Sequence, residues 1–93
     1  MKPPADGTVR AQVPARLLDL SLGGALFVIA TTLEIGAVHD FALDLDGRTV
    51  WVQAEVRHCR PRQDGSGQQV GVQFVGVDPQ DEHLLRAYLE SRR

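Results

Sequence analysis

Residues 19–24 have the sequence DLSLGG and lead directly into the apolar run ALFVIA at residues 25–30. Glycine can adopt backbone conformations that other residues avoid, so the two consecutive glycines at the end of this stretch predict a bend. Asp19 and Ser21 are residues whose side chains readily hydrogen-bond to nearby backbone N–H groups, which is typical of turns. The stretch therefore predicts a tight turn between an extended segment and a buried strand.

The segment before this turn has the pattern of a half-buried strand. Apolar and polar residues alternate over residues 9–16, which is the period of two that such strands show. Pro14 interrupts the pattern, and a proline within a strand requires an edge position or a bulge. Residues 16–20 continue the extended segment into the turn. Residues 1–7 (MKPPADG) have no apolar period, so we expect a flexible lead-in to a single domain at residues 8–93.

Further strands are predicted after the turn. The Asp46-Gly47 dipeptide is the strongest local signal, because it tolerates the positive φ angles of a two-residue hairpin turn and lies between two alternating segments. The predicted elements are a second strand at 25–30, a third at 38–45, a fourth at 49–58, a polar loop at 60–67 and a fifth strand at 69–77. The core face of the fourth strand is predicted to be Val50, Val52, Ala54 and Val56.

The end of the chain changes from the period of a strand to that of a helix. Asp78 is suited to the N-cap and Pro79 to the first helical position, and acidic residues follow in the first turn, where the macrodipole favours negative charge. The apolar stripe of this helix comprises Leu84, Leu85, Tyr88 and Leu89. Antiparallel strands followed by one helix predict an α+β arrangement similar to a small barrel.

Composition restricts the functional class. The 93 residues are 43% hydrophobic and 24% charged, as in ordinary folded domains. The net charge is −2, which argues against general binding of DNA or RNA, because phosphate neutralisation requires a basic surface. Cys59 is the single cysteine, so an internal disulfide and a CxxC metal site are excluded. Without a signal peptide or a long apolar run, the protein is predicted to be cytoplasmic and not inserted in a membrane.

The sequence gives no pattern typical of catalysis. His39, His58 and His83 do not have the spacing of metal ligands. Neither a Ser-His-Asp arrangement nor a pair of carboxylates can be argued from spacing. We therefore predict that the protein is not an enzyme and that it uses no metal and no cofactor.

Three features, in this order, resemble the PilZ family. The first is the D/N-x-S-x-x-G element at residues 19–24, which leads into an apolar strand. The second is the Asp-Gly hairpin, whose following strand ends at residues 54–58. The third is the sequence VGVQF at residues 70–74, which is similar to the family's late G-x-x-F strand before a terminal helix. The resemblance covers roughly residues 9–92.

This resemblance implies both a fold and a ligand. The implied fold is mainly β (α+β), a small six-stranded-type antiparallel β-barrel closed by a C-terminal α-helix. The implied ligand is cyclic di-GMP, a bacterial second messenger, which the family holds with an R-x-x-x-R element and the D/N-x-S-x-x-G element. Arginine forks suit phosphates and the Hoogsteen edge of guanine, and a strand-end aromatic ring can stack on a base. The ligand-binding candidates are Arg10, Arg16, Asp19, Ser21, Gly23, Gly24 and His58.

The arginine element departs from the family pattern. The arginines that precede Asp19 are Arg10 and Arg16, which are six residues apart instead of four. One hypothesis is a shortened cyclic di-GMP receptor that compensates with these residues and with Arg57 or Arg60. The alternative is a degenerate PilZ adaptor that binds no nucleotide and acts through protein contacts in motility, pilus or flagellar regulation. RNA binding is a third hypothesis, and the acidic balance of the chain argues against it. The downstream protein partner and the oligomeric state stay open.

Overall fold

The computed structural model of the protein describes residues 8–9 and 15–91. Its elements are the strands β1 (Thr8–Val9), β2 (Ala15–Leu20), β3 (Gly24–Ile29), β4 (Val38–Leu45), β5 (Arg48–Pro61) and β6 (Gln68–Val77), and the helix α1 (Pro79–Ser91). The predictions for residues 1–7, Arg10 and Pro14 lie outside the described residues. Among the described residues, no helix is long and apolar enough to span a membrane.

The strands form one curled antiparallel sheet. Five strands of six or more residues carry it, and the two-residue β1 adds to the edge of β4, so that the order is β1-β4-β5-β6-β3-β2. Over the described residues this sheet is a half-barrel with β1 and β2 at its two ends. The prediction of a mainly β fold with one C-terminal helix is confirmed.

The core lies on the concave face of the sheet, and alternation along the strands creates it. The predicted core residues of β5, which are Val50, Val52, Ala54 and Val56, are each 2% exposed or less. Leu85 of α1 is completely buried among them, and the other three residues of the predicted helical stripe pack against the same cluster. The helix therefore covers the core that the curled sheet leaves open.

Local bonds explain where the helix begins. Asp78 Oδ1 accepts a hydrogen bond from Gln80 N at 3.0 Å, and the Asp78 carbonyl accepts one from Glu82 N at 2.8 Å, as expected of an N-cap. Asp81 Oδ2 also accepts a hydrogen bond from Trp51 N at 3.1 Å. This contact satisfies a backbone donor of β5 beyond the end of β6, and it ties the first turn of α1 to the sheet.

The hairpin follows the prediction, whereas the loop after β5 is shorter than predicted. Asp46 and Gly47 have φ angles of 55° and 84°, which is the conformation of a type I′ turn. The ladder between β5 and β6 continues to the pairs Arg60–Gln69 and Pro61–Gln68, so the prediction that the loop starts at residue 60 was wrong. Polar residues at an exposed strand end resemble a loop in sequence, and Pro61 is tolerated because it ends the strand.

Candidate functional site

The turn between β2 and β3 is held by its own serine. Ser21 N donates to the Gly24 carbonyl oxygen at 2.9 Å. The Ser21 hydroxyl accepts hydrogen bonds from Gly23 N at 3.3 Å and from Gly24 N at 3.2 Å, and it donates to the Gly24 carbonyl oxygen at 3.3 Å. The hydroxyl therefore has a structural role, which is the turn behaviour that serine favours.

The glycines attach this turn to β6. Phe74 N donates to the Gly23 carbonyl oxygen at 2.9 Å. A Cβ atom at residue 24 would overlap with the Val72 carbonyl oxygen, so only glycine permits this approach of the two strands. The backbone on both sides of the turn consequently lies directly against β6.

A β-bulge in β2 directs Asp19 away from the core. Leu17 pairs with Phe27 and Asp19 pairs with Leu26, so Leu18 is an additional residue in β2. Leu17 and Leu20 both pack against the core, which regular alternation would not permit, because residues 17 and 20 have opposite parity. Asp19 is exposed, and its Oδ1 accepts a hydrogen bond from Leu20 N at 2.9 Å.

A bulge also interrupts β5, between Val56 and His58. Val56 pairs with Val72 and His58 pairs with Gly71, which makes Arg57 the additional residue. Consecutive strand residues normally point to opposite faces, and a bulge suspends this rule. Arg57 and His58 consequently line the same pocket.

The histidine lies over a residue without a side chain. A Cβ atom at Gly71 would overlap with the imidazole ring of His58. Gly71 faces outward, because Val70 and Val72 on either side of it are in the core. The ring of His58 is therefore seated on the outer surface of β6, where one side of it packs on backbone.

These parts together form an open pocket of about 400 Å³ on the outer face of the sheet. Its lining residues are Asp19, Leu20, Ser21, Gly23, Gly24, Ala25, Leu26, Arg57, His58, Gly71, Val72 and Gln73. Pockets of this volume are common small-molecule sites. The lining offers a carboxylate acceptor, a guanidinium donor, a planar ring and backbone close to the ligand space, which suits an anionic ligand that also has a planar base.

The structure brings most of the sequence-predicted site residues to this pocket. Its lining includes five of the seven, which are Asp19, Ser21, Gly23, Gly24 and His58. Arg16 is exposed on β2 but does not line the pocket. Arg10 lies outside the described residues.

Sequence reasoning named Arg57 only as a substitute and did not find Gln73 or Gly71. Arg60, the other substitute, lines a separate hollow near Arg62 instead. The burial pattern along the strand marks the β5 bulge. The core pattern of β5 uses even-numbered residues as far as Val56, whereas the next partly buried residue against the core is odd-numbered Cys59.

The described residues also limit the chemistry of the site. Among residues 15–91, no group of three or more His, Cys, Asp or Glu side chains is arranged to hold a metal ion. Asp19 and Arg57 are the two residues of the pocket lining that carry formal charges. In the described part of the chain they form no ion pair, so their charged groups are more than 4.0 Å apart. Arg57 can therefore donate to an anionic group of a ligand, and Asp19 can accept from a donor group.

Comparison with protein-family models gives a match to the PilZ domain over residues 4–91. Neither the curated proteins nor the solved structures give a match. The matched range includes the turn, the bulges at Leu18 and Arg57 and the helix, so it covers the candidate site and the fold that positions it. The resemblance carried by the D-x-S-x-x-G turn, the hairpin and the late strand is confirmed, and the chain belongs to the PilZ domain family.

Proposed function

We propose that this PilZ domain is a receptor module that binds cyclic di-GMP in the pocket between the Asp19–Gly24 turn and the β5 bulge. The observation that carries this proposal is the convergence of the family's D-x-S-x-x-G element with Arg57 and His58 on one outer surface. PilZ domains are receptor or adaptor modules, so the proposed activity is binding and not catalysis. The role implied is second-messenger signalling in the bacterial cytoplasm.

The side chains and glycines of the pocket match the chemical groups of a cyclic dinucleotide. Asp19 Oδ1 accepts a hydrogen bond from Leu20 N, and the exposed carboxylate can accept further hydrogen bonds from guanine N–H groups. Arg57 can donate to phosphate oxygens, and His58 offers a planar ring to a base. Gly23, where nothing lies within 4 Å of a Cβ position, lets the ligand approach the backbone, whereas Gly24 acts through its contact with β6. Ser21 acts through the turn, because its hydroxyl already makes three contacts there.

Calorimetric titration with cyclic di-GMP tests the proposal. The wild-type protein should bind, and Asp19→Ala should weaken binding about tenfold or more, since hydrogen bonds to charged groups contribute about 1.5–3 kcal/mol. Asp64→Ala is the matched control, because it removes an exposed carboxylate that does not line this pocket. The absence of heat and of NMR shifts at high micromolar ligand would refute the proposal.

We also propose that the curled sheet closes into the family's six-stranded barrel. Cα atoms of β1 lie within 8 Å of Cα atoms of β2, which supports this closure. In the hydrogen-bonded order of the strands, β1 and β2 are at opposite ends of the sheet. Amide NOEs between the β1 and β2 regions would support closure, and full solvent exchange of both edges would contradict it.

A protein-docking adaptor is the second candidate function. Leu18 and Leu22 are 38% and 41% exposed, and each is a chain neighbour of a residue that lines the pocket, so apolar side chains are available there for a protein contact. The same titration separates the two functions. An adaptor predicts no ligand response from a folded protein, whereas a ligand-dependent shift of the Ser21 amide signal would count against it.

A further inference from the structure

The guanidinium of Arg57 is held in place by a neutral partner. Arg57 Nη1 donates a hydrogen bond to Gln73 Oε1 at 2.7 Å. In the described part of the chain, no carboxylate oxygen lies within 4.0 Å of this guanidinium, whereas Arg62 and Arg86 lie beside Asp64 and Glu82. An amide orients the group without neutralising it, so the full positive charge of Arg57 stays available to a ligand.

The donors of Arg57 suit a phosphate. A guanidinium carries five N–H donors in a planar fork, and the bond to Gln73 uses one of them. The remaining donors can bind two oxygens of one phosphate at once, which is the geometry that makes arginine a strong phosphate ligand. Arg57 is exposed, so a ligand can reach these donors.

The register places this pair beside the turn. Gln73 pairs directly with Gly24 across β3 and β6, and the next residue of β6, Phe74, donates to the Gly23 carbonyl oxygen. The bulge turns Arg57 toward the same outer surface. The guanidinium and the glycine pair of the turn therefore border one ligand space.

We infer that Arg57 binds a phosphate of the nucleotide and that Gln73 is its positioning residue. The inference rests on the proposed function, and it assigns to β5 a cation that the family resemblance places in the N-terminal segment. The β5 bulge makes this assignment possible. It adds Arg57 to the strand as an extra residue that lines the pocket, and His58 still lines the pocket beside it.

Titration of variants with cyclic di-GMP tests the inference. Arg57→Ala should weaken binding about ten- to a hundredfold, in line with a charge-assisted hydrogen bond, and Arg57→Lys should fall between this variant and the wild type because it keeps the charge and loses the fork. Arg60→Ala is the matched control, since it removes the same charge from the same strand outside the pocket. It should bind as the wild type does.

The positioning role of Gln73 has its own readout. Gln73→Ala should weaken binding several-fold in the wild-type background and have no further effect when Arg57 is already alanine, because the two residues act as a unit. A purely structural role would weaken binding equally in both backgrounds. Circular dichroism of each variant checks that the fold is retained, and the Arg57 Nε–Hε NMR signal should shift when ligand is added to the wild type.

The outcomes separate the two proposals. If the wild type binds and Arg57→Ala binds equally well, the inference is overturned while the receptor function stands. If the wild type does not bind, the receptor function is refuted and the inference is refuted with it. If Arg57→Ala does not fold, the Arg57→Lys titration and the Nε–Hε shift decide the inference.

Discussion

Gly24 is a residue at which the turn lies directly against β6. A Cβ atom there would overlap with the Val72 carbonyl oxygen and would lie 3.4 Å from its carbonyl carbon. Both atoms belong to backbone that is fixed by the β3–β6 ladder, so they cannot yield as a flexible side chain would. We expect Gly24→Ala to lower the free energy of unfolding by about 1–3 kcal/mol, the usual range for overpacking.

Urea denaturation measures this loss, and Gly23→Ala is the matched control. Nothing lies within 4 Å of a Cβ at residue 23, so the same substitution one residue earlier should change the free energy of unfolding by less than about 0.5 kcal/mol, as for unstrained surface positions. Equal losses in the two variants would show that the strand contact is not the cause.

Asp64 gives a prediction about protonation. The hydroxyl of Ser66 donates to Asp64 Oδ1 at 2.6 Å and Ser66 N donates at 3.0 Å, while Arg62 Nε lies 3.5 Å away. These contacts, the serine hydroxyl foremost, lower the pKa of Asp64 from 3.8 to about 2. A carboxyl whose pKa is lower in the folded state stabilises the fold above its unfolded pKa. That contribution is lost as the pH falls from about 4 toward 2.

Removal of the serine hydroxyl should reduce this shift, because that hydroxyl is its largest cause. In Ser66→Ala, the pKa of Asp64 should rise toward 3.8, because the main donor to the carboxylate is gone. A carboxyl-detected NMR titration measures the midpoint, and Ser91→Ala, whose hydroxyl donates to the Tyr88 carbonyl, provides the remote control. An unchanged midpoint in Ser66→Ala would contradict the assignment of the cause.

At the scale of an element, the turn of the β4–β5 hairpin requires a left-handed backbone at Gly47. Gly47 has a φ of 84°, and nothing lies within 4 Å of a Cβ built there. Gly47→Ala should therefore cost about 1–2 kcal/mol from left-handed strain without any clash. Gly47→Asn should cost less, because asparagine tolerates this region. Thermal unfolding compares the two variants, and an equal loss for both would point to packing instead.

The strands themselves were predictable, whereas the bulges that build the site were not. Alternation identified the core face of β5 correctly, because burial of one face imposes a period of two. The same parity predicts an inward Asp19 after Leu17 and an inward His58 after Val56, yet both residues line the outer pocket. A bulge depends on pairing with a partner strand that the local sequence does not specify.

The part of the candidate site that belongs to the D-x-S-x-x-G motif was predictable from the sequence. The D-x-S-x-x-G pattern identified the turn without reference to β6, because the Ser21 hydroxyl bonds to the backbone of the same turn. Gln73 was not predictable, since its contact with Arg57 spans sixteen residues and depends on the register of β5 against β6. A contact between side chains on two different strands can be predicted only when the register of those strands is known.

At the scale of the whole molecule, the helix and the curled sheet share one core, and a leucine of the helix lies inside it. Leu85 is the fully buried residue of α1, and it packs in the cluster formed by the sheet's inward face. A domain of this size buries a limited core, and its total stability is expected to be about 5–15 kcal/mol. Leu85→Ala should lower the free energy of unfolding by about 2–5 kcal/mol, because it removes buried methyl groups and leaves a cavity.

Chemical denaturation of Leu85→Ala against Ile35→Ala isolates this effect. Ile35 is 62% exposed, so its truncation removes similar apolar surface without leaving a cavity and should change stability by less than about 0.5 kcal/mol. A ligand that binds only the folded state adds about 2.7 kcal/mol at a hundred times its Kd. Cyclic di-GMP at that concentration should thus recover much of the loss in Leu85→Ala, although α1 contributes no residue to the pocket. A stability loss as small as that of Ile35→Ala would show that the sheet holds its core without the helix.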